Sequence, residues 1–124
     1  MNKKTEKAET LGQFEQLVLT AVHSLGKEAY GVPIHAKVSE MSGKDVNTGS
    51  IYVTLDRLSE KGMLSSSFSD PIPERGGKPR RFYRLEAAGQ RALQDALETA
   101  RRMAEVIEES PWKLGKFRPK RQKT

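Results

Sequence analysis

Between Asn47 and Arg57 the chain sets small, hydrogen-bonding residues ahead of an apolar stripe. Asn47, Thr48, Gly49 and Ser50 lead, while Ile51, Leu55 and Leu58 recur at helical spacing behind them. If that apolar trio faces a core, then Thr48, Gly49, Ser50, Val53, Thr54 and Arg57 occupy the opposite or leading surface. Tyr52 lies at the margin, able to face the core and counted with the contact set. Such a surface suits the edges of nucleic-acid bases. Thr and Ser can hydrogen-bond bases or phosphates, Val53 can meet a thymine methyl, and Arg57 can reach phosphate or guanine. The small leading residues allow close approach, and the positive end of the helix favours a phosphate oxygen. The same pattern also fits an amphipathic helix whose polar side is merely solvated.

A second group follows within a few residues. Arg75, Lys78, Arg80, Arg81 and Arg84 fall in a ten-residue stretch with no acid between them, and Gly76-Gly77 loosens its backbone. Cations on a pliable ribbon can follow a phosphate backbone, and each one that meets a phosphate releases condensed counterions. A solvated hairpin using its charges to discourage edge pairing would look similar when taken alone. Helix and ribbon standing side by side favour the first reading of both, because neither pattern implies the other.

These residues need elements to hold them. Thr10-Leu11-Gly12-Gln13 has the spacing of a capping box, with Thr10 as N-cap. It opens a helix whose stripe runs from Leu11 through Leu25 and which Gly26 closes. Tyr30-Gly31-Val32-Pro33 starts a second helix with Ile34, Val38 and Met41 inward, ended by Ser42-Gly43. Asn47 caps the third helix, with Ser50 three positions on, and Gly62 stops it. Met63 to Phe68 and Arg80 to Leu85 read as two strands around a turn over Ser69–Pro79 that is rich in Pro and Gly. A fourth helix runs from near Glu86 to about Glu109. Its apolar residues Leu93, Ala96, Leu97, Ala100, Met103, Ala104 and Ile107 alternate three and four apart, like the seam of a coiled coil. The core of so short a chain cannot cover that whole seam, so a second copy is the expected cover, as a two-fold dimer.

The fold class expected is therefore mainly α with a small β-hairpin, a winged helix-turn-helix followed by a long dimerisation helix. Its divisions are a flexible N-terminus over 1–9, a winged-helix domain over 10–85, the dimer helix over 86–110 and a basic tail over 111–124. Net charge alone does not argue for DNA. Taking the tail's Lys113, Lys116, Arg118, Lys120, Arg121 and Lys123 from the 22 Lys and Arg leaves 16, against 16 Asp and Glu. The body is formally neutral, and only the local clustering speaks for an anionic partner. Zero cysteine excludes disulfides and thiolate metal sites. No apolar run nears the roughly 20 residues of a membrane span. The N-terminus resembles no export signal, so the cytoplasm is expected. His23 and His35 have no partner ligands in their motifs, and Ser50 lacks a nucleophile setting. No catalytic residue, cofactor or metal is expected.

Gly49-Ser50-Ile51-Tyr52, Leu55, Leu58, Glu60-Lys61-Gly62-Met63-Leu64, Gly76-Gly77, Arg80-Arg81-Phe82-Tyr83-Arg84-Leu85 and Ala88-Gly89 together resemble the PadR-like family of bacterial transcriptional regulators. Tyr30-Gly31-Val32-Pro33-Ile34 fits that family's entry to its second helix, and the likeness spans about residues 10–108. The resemblance implies a dimeric repressor that binds double-stranded operator DNA through the third helix and wing. A single C-terminal helix looks like the family's short branch. It also implies a space between subunits that accepts flat apolar molecules, which leaves a small-molecule inducer open. Trp112 could be a platform there, although its place after Pro111 favours capping the last helix. Two departures stand out: Thr48 sits where many relatives carry proline, and the basic tail is not part of the common pattern. Two further readings stay open, a winged helix that binds an acidic protein, and a non-specific nucleic-acid binder acting through the tail.

Overall fold

A computed structural model of the chain describes residues 10–69, 76, 78–112 and 114. Among the described residues four α-helices and one hairpin follow in the order α1 (Gln13–Leu25), α2 (Gly31–Ser42), α3 (Thr48–Glu60), β1 (Leu64–Phe68), β2 (Arg81–Leu85) and α4 (Ala87–Glu109). The mainly helical fold with a two-stranded antiparallel hairpin is the one expected. The N-terminal segment 1–9, most of the turn between the strands and most of the basic tail lie outside the described residues.

Helix α1 starts later than its sequence suggests. Gly12, not Thr10, is the N-cap, and the Glu15 carboxylate accepts the Gly12 N–H at 3.0 Å. Leu11 is buried in the core instead of opening the helix, which draws the chain inward ahead of the first turn. The left-handed Gly26 ends α1, and a short 3-10 turn leads to Tyr30. Helix α2 buries Ile34 and Val38 completely, while Met41 stays 39% exposed. Met41 was expected inside, but the last turn of α2 extends past the core before Gly43 stops it. His35 belongs to the scaffold: its Nε2–H donates to the Val46 carbonyl at 2.7 Å and steadies the link into α3.

The core lies where α1, α2 and α3 meet, around Val18, Leu19, Ile34, Val38, Ile51, Leu55 and Leu58. The hairpin closes one side of it. Leu64 pairs with Leu85 and Ser66 with Tyr83, so Leu64 and Tyr83 share the inward face. Strand β2 is also paired along its other edge, because Tyr83 N–H donates to Ala29 O at 2.8 Å and Tyr30 bridges Phe82. The turn between α1 and α2 thus adds a third rung to the ribbon. An isolated two-stranded ribbon is marginal in water, and this seating is what the short strands need.

Helix α4 runs over the expected span. Its first turn is tied down where Glu86 N–H donates to Met63 O at 2.9 Å. Gly89 packs so tightly there that a Cβ would overlap the Met63 carbonyl oxygen. Gly89, Ala92 and Leu93 are buried, and beyond them the helix leaves the body of the fold.

Candidate nucleic-acid interface

The exposed end of α3 is built by its cap. Asn47 is extended, with φ −70° and ψ 129°, and its Oδ1 accepts the Ser50 N–H at 3.0 Å. That arrangement fixes Thr48, Gly49 and Ser50 on the surface at the start of the helix, and all three are exposed. Tyr52, Val53 and Arg57 follow on the solvent side, with Val53 55% exposed. Thr54 is a correction. It is only 4% exposed and belongs to the core side, not to the contact set. Helical geometry explains this: three residues after Ile51, Thr54 is turned about 60° from it and lies at the edge of the buried arc.

Tyr52 spans the two helices of the helix-turn-helix. Its ring and hydroxyl occupy the space beside Gly31 at the start of α2, so a Cβ at that position would overlap the hydroxyl. Only a glycine leaves room for Tyr52 to lie there while keeping part of its ring in solvent.

Two of the wing's described cations, Arg80 and Arg81, are anchored to the body of the fold. The Arg80 guanidinium lies over the Tyr30 ring, 4.2 Å from its centroid. Arg81 Nε–H donates to Ser66 Oγ at 3.0 Å, and its guanidinium approaches both the Phe68 and Tyr83 rings. Arg81 also faces Asp56 of α3 at 3.9 Å, a loose ion pair that joins ribbon to helix. Burial pushes the Tyr83 phenol above its ordinary pKa; Arg81 opposes that shift, and Asp56 and Tyr52 add to it. Lys78 and Gly76 are exposed, and Gly76 takes a left-handed φ of 73°. Arg75 and Gly77 lie outside the described residues.

The partners of these cations were not evident from the sequence. In the sequence Tyr30 marks only the entry to the second helix, and nothing local distinguishes Asp56, Ser66 or Phe68 as partners of a cation. Aromatic residues at 30, 68, 82 and 83 hint at ring stacking, but no local spacing says that 30 meets 80 and 82. On α4, the expected seam residues Ala96, Leu97, Ala100, Met103, Ala104 and Ile107 are on the surface or near it, with Leu97 65% exposed. Within the single chain Trp112 is 80% exposed, just past the turn at Ser110, whose hydroxyl accepts the Trp112 N–H at 3.0 Å.

A model of the PadR-like family of transcriptional regulators matches residues 18–95, which is most of the chain. The chain belongs to that family. Helices α2 and α3, the hairpin and the first turns of α4 all lie within the match. Among solved structures, a PadR family transcription regulator from Clostridium difficile R20291 superposes with a TM-score of 0.64 at 22% identity, covering 79% of this chain and 97% of that one. A PadR-like transcription factor from Bacteroides fragilis gives 0.67 at 24%, covering 78% and 88%. RosR of H. salinarum gives 0.60 at 28%, covering 82% and 94%. Curated protein sequences contain no match. This PadR family member is thus a transcriptional regulator by family, and the family is not one of enzymes. Among the described residues no helix is long and apolar enough to cross a membrane, and no cluster of His, Cys, Asp and Glu could hold a metal.

Proposed function

We propose that this PadR family regulator acts as a homodimeric repressor that reads duplex DNA with α3 and grips the backbone with the wing. The observation that carries the reading is the solvent side of α3, with Thr48, Gly49, Ser50, Tyr52, Val53 and Arg57 exposed on the helix whose Asp56 meets Arg81 of the ribbon. In this reading α3 of each subunit enters one of two successive major grooves, about one helical turn apart. Val53 and the leading hydroxyls meet base edges, and Arg57 reaches guanine or phosphate. Arg75, Lys78 and Arg81 neutralise the adjacent backbone, with Gly76 and Gly77 letting the tip follow it.

Leu93, expected in the seam, packs into this chain's own core instead; Ala96, Leu97, Ala100, Met103, Ala104 and Ile107 form the pairing seam between two α4 helices. Bound across a promoter, the dimer represses by occlusion in the cytoplasm. An inducer relieves it by changing the spacing of the two α3 helices through α4. The basic tail adds phosphate contacts without sequence preference.

The test is fluorescence anisotropy with duplex DNA from the gene's own upstream region and with a shuffled duplex, at two salt concentrations. A preference of about a thousandfold, kept after residues 113–124 are removed, is the expected result. Equal affinity for both duplexes that vanishes with the tail would leave only sequence-blind binding and contradict the proposal.

A further inference from the structure

Arg80 and Tyr30 meet where the ribbon joins the body of the fold. Tyr30 is the N-cap residue of α2, and three separate contacts bind it and its neighbour Ala29 to the wing. The Arg80 guanidinium covers its ring, the Phe82 ring meets it edge-on at 5.3 Å between centroids, and Tyr83 N–H donates to Ala29 O. Arg80 is itself held at the strand's entry. Its N–H donates to Ser69 Oγ at 3.0 Å, and its carbonyl accepts the Ser69 N–H at 2.8 Å. On the other side, Tyr52 of α3 fills the space beside Gly31, the residue after Tyr30. The dipeptide Tyr30-Gly31 therefore receives the wing through Arg80 and the third helix through Tyr52.

A guanidinium resting on an aromatic face is attracted by the ring's quadrupole, more strongly where water is partly excluded, and Arg80 is half-buried. We propose that Arg80 is a positioning residue: stacked on Tyr30, it fixes the angle of the wing to α3 and acts on DNA through that angle, not through a phosphate contact of its own. This assignment rests on the DNA-binding reading above and separates Arg80 from the wing's other cations.

The experiment compares Arg80→Gln, Tyr30→Leu, the double variant and Tyr30→Phe by two measurements. One is amide hydrogen exchange of the free protein at Ser69, Phe82 and Tyr83. The other is affinity for the upstream duplex over a salt series. Arg80→Gln and Tyr30→Leu should each speed wing exchange and weaken binding about threefold to thirtyfold. The double variant should be no worse than either single one, and Tyr30→Phe, which keeps the ring, should match the wild type. All four should keep the wild-type slope of log affinity against log salt, because no phosphate contact is lost. A slope reduced by about 0.9 in Arg80→Gln, with Tyr30→Leu binding normally, would make Arg80 a direct phosphate contact and overturn the proposal. Wing exchange unchanged in both single variants would overturn it without reference to DNA. If exchange responds while the wild type binds no duplex, the DNA-binding reading fails and the clamp stands.

Discussion

Helices α3 and α4 are both amphipathic, yet one is covered by its own chain and the other is not. Ile51, Leu55 and Leu58 of α3 are fully buried beneath α1, α2 and the hairpin. On α4 the stripe is covered only as far as Leu93, and Leu97, Met103 and Ile107 stand in solvent. The charges divide the same way. The far end of α3 is moored to α1 by Lys61 and Glu15, 3.3 Å apart. In α4, by contrast, Arg101 bridges Glu98 and Glu105, and Arg102 reaches Glu98, so these groups pair within their own helix. Periodicity reveals that a face is apolar; chain length and connectivity decide what covers it.

Truncating the same residue type on the two stripes tests this contrast most severely. Leu55→Ala should cost about 2–5 kcal/mol of unfolding free energy, because it opens a cavity in a packed core. Leu97→Ala should cost a single chain no more than about 0.5 kcal/mol. Leu97→Asp should leave helicity intact while abolishing association. Denaturant titration and sedimentation of the variants check all three.

The junction of α4 with the body comes next. Gly89→Ala should destabilise by about 1–3 kcal/mol, since its Cβ must displace the backbone at Met63. If Gly89→Ala proves neutral in denaturant titration, α4 is not seated there.

A smaller effect is expected at the start of α3. Asn47→Ala removes the acceptor of the Ser50 N–H and should cost about 1 kcal/mol. Thermal unfolding would show it, and DNA affinity should fall with it.

The smallest effect sharpens the charge side of the contrast. Burial raises the Glu15 pKa, but the Gly12 N–H, Lys61 and Arg57 together outweigh it and hold the carboxyl below its ordinary value. A depressed folded pKa stabilises above the unfolded value and is lost as pH falls through the folded one. Glu15→Gln should therefore cost about 0.5–1 kcal/mol at pH 7 and nothing in strong acid. A loss independent of pH would assign the effect to packing. Glu98→Gln should change pairing little, because its partners are on the same exposed helix.

Much of the scaffold was legible in the sequence because it rests on local rules. The Asn47 cap, the glycine stops at 26, 43 and 62, and the extent of α4 are set by nearest neighbours along the chain. Thr54 and Met41 lie at the edges of their helices' apolar arcs, where spacing gives the direction of a side chain and the depth of cover from neighbouring elements decides whether it is buried. Thr10 lost the cap to Gly12 once Glu15, anchored by Lys61 from 46 residues away, closed the first turn. At the candidate interface, the leading residues of α3 were readable and the anchoring of the wing was not. Tyr30 and Arg80 are joined only by tertiary contact, and no local pattern marks such a pair.

The central claim is that a second copy of this chain covers the α4 stripe. Sedimentation equilibrium at tens of micromolar, on wild type and Leu97→Asp together, tests it most directly. The account expects twice 13.9 kDa for the wild type and 13.9 kDa for the variant. A wild-type mass of 13.9 kDa would contradict it.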